Sequence, residues 1–336
     1  MKKFLTLLTI FSCGLVKIQA QAPQFSQFYA NPLYTNPAYA GDAGTPRFIA
    51  NYRNQWASIG IPFQTAAFSF DSYAEDVGIG LGFQALHDKR GPALSSSQLS
   101  AQISKMVYLD GQKELRLIGG IQGSWTSNSW NGDDLTYVSQ FLGSTDPMSS
   151  NGLSSNKLTL SGGAVLEYVP KYEEDISYWL SGAWHNIGIN NALSIEHQRV
   201  NVQLGTKIPI QIPAFFGNNL GRDMNRESAL TMAVQVRKQG PSRQMDAGFN
   251  VIYSPLLVGL WYRGMILGNT RRDAAIGTVG WASGNMLFQA SYDLPVSSLG
   301  FDTGAFEISI WYGIDALFRF SGKGAQNRRG RKCLRY

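Results

Sequence analysis

Cysteine and histidine are nearly missing from this chain of 336 residues, which has two cysteines, Cys13 and Cys333, and three histidines, His87, His185 and His197. Cys13 lies in an apolar leader, so the processed chain keeps Cys333 alone and has no intramolecular disulfide available. The histidines stand apart, without a second ligand at metal-binding spacing, so each reads as a polar wall or loop residue. No metal or cofactor is assigned. Long apolar runs are also lacking: past the leader none reaches the 18 or so residues of a spanning helix. The nearest candidate, Leu256 to Leu267, is short and contains Arg263.

Excess charge is confined to the two ends. The net +6 would suit nucleic acid, but its location removes that reading. Lys2, Lys3 and Lys17 belong to the leader, and Lys323, Arg328, Arg329, Arg331, Lys332 and Arg335 crowd the last fourteen residues without an acid. Setting those nine cations aside leaves the body at about −3, with no basic face for nucleic acid.

What is present begins with an export signal over residues 1–20: a lysine pair, an apolar run from Phe4 to Val16, and small Ala20. The mature chain is expected to start at Gln21, because a cut after Ala22 would place Pro23 next to the scissile bond. A lipoprotein signal ending at Cys13 fits less well, given bulky Phe11 and the short leader.

Beyond Arg47 the dominant period is two. Phe306, Ile308, Ile310 and Tyr312 alternate with Glu307, Ser309, Trp311 and Gly313; Met286, Phe288, Ala290 and Tyr292 alternate with Leu287, Gln289, Ser291 and Asp293. The same pattern sets Val200, Val202 and Leu204 against Asn201, Gln203 and Gly205, and Leu99, Ala101 and Ile103 against Ser100, Gln102 and Ser104. Such alternation puts one set on each face of a strand. Fourteen strands are predicted, roughly 47–58, 62–72, 77–87, 95–109, 113–127, 156–169, 175–187, 197–210, 226–238, 243–253, 256–266, 272–282, 285–294 and 304–318, each about long enough to cross a bilayer at a tilt.

With the first strand starting in the periplasm, tight turns such as Asp110-Gly111-Gln112 and Tyr253-Ser254-Pro255 fall on the periplasmic side. The long 128–156 connection falls outside. That asymmetry is the outer-membrane pattern, although the long 210–226 link sits on the wrong side for it. A soluble β-sandwich also has alternating strands; strand length, loop asymmetry and the lack of disulfides favour the barrel. The fold expected is therefore all-β: an antiparallel transmembrane β-barrel of about 14 strands over 47–320, preceded by an irregular plug segment at 21–46 and followed by a basic periplasmic tail at 321–336. Several aromatics, among them Tyr178, Trp184, Trp261, Trp281, Trp311 and Tyr312, are expected near strand ends or centres, some in interfacial girdles.

Catalytic chemistry finds no support. Gly78-Ile79-Gly80-Leu81-Gly82 lacks the third glycine offset and following helix of a nucleotide loop. Its glycines instead smooth one face of a strand for close approach of an irregular segment. Asp133-Asp134 and Glu173-Glu174-Asp175 have no nucleophile or base beside them. The chain reads as non-enzymatic.

The segment before the first strand is the most distinctive. Gln24-Phe-Ser-Gln-Phe-Tyr-Ala-Asn-Pro-Leu-Tyr-Thr-Asn-Pro-Ala-Tyr-Ala-Gly41 repeats Asn-Pro twice and carries five aromatics. Each proline fixes φ, and each preceding Asn is pushed out of the helical region. The block resembles the opening of the PorP/SprF family of type IX secretion and gliding membrane proteins: Q-F-S-Q-aromatic, then N-P-L-x-x-N-P-A-x-x-G. Arg53-Asn54-Gln55-Trp56 with Gly60 and Pro62 is similar to that family's R-x-Q-W…G-x-P stretch. Tyr292-Asp293, Ser297-Ser298-Leu299, Thr303-Gly304 and Glu307-Ile308 resemble its penultimate hairpin. Cys333-Leu334-Arg335-Tyr336 departs from its C-P-R-F ending at Leu334 and Tyr336.

The resemblance implies an outer-membrane barrel of fourteen strands. Its partners would be a secreted adhesin or other type IX cargo protein, or the periplasmic ring components of the secretion machine. Partner contact is expected at Phe25, Phe28, Asn31, Pro32, Tyr34, Asn36, Pro37 and Tyr39, which would fill the lumen or brace its periplasmic mouth, and at Arg328, Arg329, Arg331 and Lys332 in the tail. A passive outer-membrane diffusion channel is the alternative.

Overall fold

The computed structural model describes residues 22–57, 62–131, 153–172, 175–187, 197–210, 228–265, 272–296 and 304–314. The leader, the basic tail with Cys333, most of the 128–156 connection and nearly all of the 210–226 link lie outside these residues. Fourteen strands follow in chain order: β1 (Arg47–Gln55), β2 (Phe63–Ala74), β3 (Ile79–Arg90), β4 (Leu94–Tyr108), β5 (Leu115–Trp130), β6 (Leu153–Tyr168), β7 (Ser177–Ile187), β8 (Arg199–Pro209), β9 (Ser228–Gln239), β10 (Ser242–Tyr253), β11 (Leu256–Gly264), β12 (Arg272–Ser283), β13 (Met286–Pro295) and β14 (Ala305–Gly313). Each pairs antiparallel with the next, and β1 pairs with β14 from Arg47↔Gly313 to Gln55↔Ala305, closing the barrel. No helix among the described residues is long and apolar enough to cross a membrane; this chain crosses with strands.

The number and order of strands match the sequence reading, and the boundaries move by a few residues. The first strand stops at Gln55 rather than 58: Trp56 takes φ 62°, and although its N–H still bonds to Gly304 O, in register with β14, the strand does not continue past it. β5 and β6 run further outward than expected, to Trp130 and from Leu153. Gly78 lies in the turn before β3, with φ 67°, and not within the strand. In the β4–β5 turn the Asp110 carboxylate accepts backbone N–H bonds from Glu114 and Leu115. Desolvation raises its pKa, but those N–H groups outweigh the effect and hold it below the usual carboxylate value.

The polarity of the wall is inverted relative to a soluble sandwich. Along β8 the exposed residues are Val200, Val202 and Leu204, and the buried ones are Arg199, Asn201 and Gln203. On β5 Ile121 is 67% exposed while Gln122 and Ser124 are buried. Water would penalise such an outer face at about 25 cal/mol per Å² of apolar area, whereas lipid does not. β1 begins and β14 ends at one rim. The longest connection, 131–152, leaves from the opposite rim, which is therefore the outer one; the 210–227 connection on the periplasmic rim is the exception.

Candidate functional site: the lumen and the segment it encloses

A barrel of this width has a lumen its own side chains do not fill. Residues 25–42 lie within it, every one of them buried. The local conformation follows from the Asn-Pro repeat. Pro32 opens a single helical turn, Pro32–Thr35, and Pro37 opens a 3₁₀ turn, Pro37–Tyr39. Proline suits a first helical position because its missing N–H has no partner to lose there. Asn36 is extended (φ −158°, ψ 126°), as a residue before proline should be, and its Oδ1 accepts the Ala38 N–H at 2.9 Å.

A segment this irregular leaves many backbone groups without partners of their own, and a closed lumen gives them little water. The wall supplies the bonds instead. Asn51 Nδ2 and Trp311 Nε1 donate to Ala30 O, at 3.3 and 3.0 Å. Arg199 Nη2 donates to Tyr34 O at 2.8 Å, Asn201 Nδ2 to Thr35 O at 3.0 Å, and Ser104 Oγ to Ala40 O at 2.7 Å. In return Asn36 Nδ2 reaches Ala164 O, Ser181 Oγ and Gly182 O, and Asn31 Oδ1 accepts from Gln84 Nε2 at 3.0 Å.

Ionic clusters grip both ends. Arg53 pairs with Asp293 (2.9 Å) and Glu307 (3.5 Å), and Arg263 with Asp246 (2.7 Å) and Asp293 (3.1 Å). This group binds Ser26 through its N–H to Glu307 and its Oγ to Asp293 and Arg53, while Arg263 donates to Phe25 O. At the other end Asp71 accepts the Gly41 N–H and pairs with Arg47, and Arg116 bridges Glu167 and Asp42. Breaking one member of such a buried pair costs about 3–5 kcal/mol, because a charge is left unpaired.

Apolar packing completes the filling. Tyr29 stacks on Trp261 at 5.1 Å, Phe28 meets the same ring edge-on at 5.2 Å, and Phe25 meets Tyr34 at 5.3 Å. Inward Ile49, Trp179, Ile276 and Trp311 join Phe28, Tyr29 and Trp261 in one buried cluster. Small residues let the backbone approach. A Cβ on Gly80 would strike Ala40 O, one on Gly120 the backbone of Pro37 and Ala38, and one on Gly163 the Asn36 amide. Small gaps remain; one beside Phe28, Tyr29 and Trp179 and another beside Tyr34, Gln98 and His185 measure about 10 and 20 Å³, room for about one water each.

The structure therefore brings Phe25, Phe28, Asn31, Pro32, Tyr34, Asn36, Pro37 and Tyr39 together against the wall; Arg328, Arg329, Arg331 and Lys332 lie outside the described residues. The sequence reading missed the inward charges, Arg53, Arg116, Glu167, Asp246, Arg263, Asp293 and Glu307. Their signal was parity: each falls on the polar face of its strand, and Arg263 interrupts an otherwise apolar run. Parity also separates the aromatics. Trp184 and Trp281 face outward, whereas Trp261 and Trp311 face the lumen. Among the described residues no three His, Cys, Asp or Glu are grouped to hold a metal.

A closed fourteen-strand barrel with an apolar outer face and a polar lumen is an outer-membrane β-barrel protein. The chain belongs to the PorP/SprF family, type IX secretion system membrane proteins, whose family model matches residues 18–312. No curated protein matches it. Among solved structures it is similar to the Ralstonia pickettii toluene transporter TbuX (11% identity, 85% of this chain and 94% of that one, TM-score 0.44). It is also similar to the KdgM porin (6%, 80% and 99%, 0.40) and to BamA from Haemophilus ducreyi lacking POTRA domains 1–3 (11%, 81% and 70%, 0.40). These likenesses concern the barrel and carry nothing about what this chain binds.

Proposed function

We propose that this protein is an occluded outer-membrane docking component of the type IX secretion machinery, which holds or helps export a partner surface protein and does not work as a diffusion channel. The observation that carries this reading is the burial of residues 25–42, which are bonded to the wall through backbone, amide and ionic groups from strands all round the ring. A channel requires a continuous aqueous path, and a segment tied at this many points opposes one. The family supports a place in secretion, and the surfaces left for partners are the two rims. On the periplasmic side the basic block Arg328, Arg329, Arg331 and Lys332 suits an acidic ring component. On the outer side the long connections suit the cargo. Phe25, Phe28, Asn31, Pro32, Tyr34, Asn36, Pro37 and Tyr39 serve docking by fixing the segment that closes the lumen between those rims.

Planar-bilayer recording tests occlusion. The intact protein is expected to show no steady conductance, and deletion of 24–41 to open a stable pore in barrels that keep heat-modifiable mobility. Steady conductance of the intact protein would favour the channel instead. Co-purification of one large secreted protein with the intact barrel tests docking separately.

A further inference from the structure

We propose that the amino-terminal end of the processed chain is presented at the outer mouth of the barrel, on the cell surface. The inference stands on strand direction and hydrogen bonding and is independent of the docking reading.

The two ends of the enclosed segment bond to opposite rims of the barrel. Ala22 N–H donates to Oε1 of Gln239, the last residue of β9, at 3.0 Å. Arg237, near that same end, donates to Ala22 O at 2.9 Å and Pro23 O at 3.1 Å. Strand β9 starts at the periplasmic rim and finishes at the outer one, so these contacts are outer contacts. Phe25 O then meets Arg263, next to the outer end of β11, and Ser26 and Gln27 meet Glu307, near the outer start of β14. Asn31 and Asn36 bond to mid-strand groups on β3, β6 and β7. The last contacts are periplasmic: Gly41 with Asp71 near the inner end of β2, and Asp42 with Arg116, the second residue of β5. The segment thus starts at the outer rim and finishes at the inner rim, with Tyr34 and Thr35 turned back toward the outer ends of β8 and β7, before it turns into β1.

Two of the arginines that hold the segment differ from the other four. Arg47, Arg53, Arg116 and Arg263 each have a carboxylate partner. Arg199 and Arg237 form no ion pair among the described residues and spend their guanidinium groups on the carbonyls of Tyr34, Pro23 and Ala22. Charged donors on neutral carbonyls fix a chain without regard to its side chains. That suits a terminus made of Ala22 and Pro23. Residues 22–24, at the outer rim, are only half-buried, unlike everything from Phe25 to Asp42.

The test is a flexible peptide carrying a protease site, inserted between Gln21 and Ala22, with protease added to intact cells. Loss of the inserted peptide from intact cells is expected. Cleavage only after the outer membrane is permeabilised, or no cleavage in either state, overturns the proposal. Only barrels with heat-modifiable mobility are counted. Should the insertion prevent folding, Gln24→Cys in a Cys333→Ser background carries the test with a membrane-impermeant maleimide. Labelling of intact cells, matching a cysteine placed at Gly240 in the outer β9–β10 turn, supports it. Labelling confined to permeabilised cells, as expected for Asn285→Cys in a periplasmic turn, overturns it.

Discussion

Asn36 has one amide group and uses both ends of it. Its Oδ1 caps the turn that follows, and its Nδ2 lies within bonding distance of three acceptors on β6 and β7. Truncation to alanine would strand several buried polar groups at once, each costing about 1–3 kcal/mol when unsatisfied. Asn36→Ala is therefore expected to destabilise the folded barrel by about 2–3 kcal/mol, read as a lower denaturant midpoint in detergent. The extended backbone before Pro37 was legible in the dipeptide itself; the 3₁₀ turn after it was not. The acceptors were not, because Ala164 and Gly182 contribute carbonyls that no side-chain pattern advertises.

At the scale of elements, adjacent glycines on β5 separate the two jobs of a strand. Gly119 faces outward with nothing near its Cβ position, while Gly120 faces the backbone of Pro37 and Ala38. Gly120→Ala is expected to displace the second Asn-Pro turn, making the 24–41 segment accessible to added protease. Gly119→Ala should leave proteolysis unchanged. Equal protection of both variants would show that the turn does not need the approach Gly120 permits. Strand faces were readable from period two, since a residue's face depends only on its neighbours. Strand ends were less so: β1 ends where Trp56 takes a positive φ that its sequence does not announce, and β5 and β6 lengthen by pairing with each other.

For the whole molecule the deciding feature is which side of the sheet meets the apolar medium. Leu204, at the middle of β8, is 57% exposed beside buried Gln203. A charge at that depth on the lipid face costs about 2–4 kcal/mol. Leu204→Arg is accordingly expected to lower refolding stability in lipid vesicles by about that amount. A soluble sandwich would bury Leu204, so a far larger loss, or loss in detergent-free water alone, would contradict the barrel.

The sequence by itself determined the alternation of faces, the count of strands, the non-helical backbone before Pro37, and the family motif, because each depends on local geometry or on residue order. Only the tertiary structure decided that Arg53, Arg263, Asp293 and Glu307 form one cluster and that Trp261 stacks on Tyr29. Only it decided that the enclosed segment runs from the outer rim inward. Those facts depend on closure: joining β14 to β1 brings residues more than two hundred positions apart to within bonding distance, and no local pattern encodes which of them will meet.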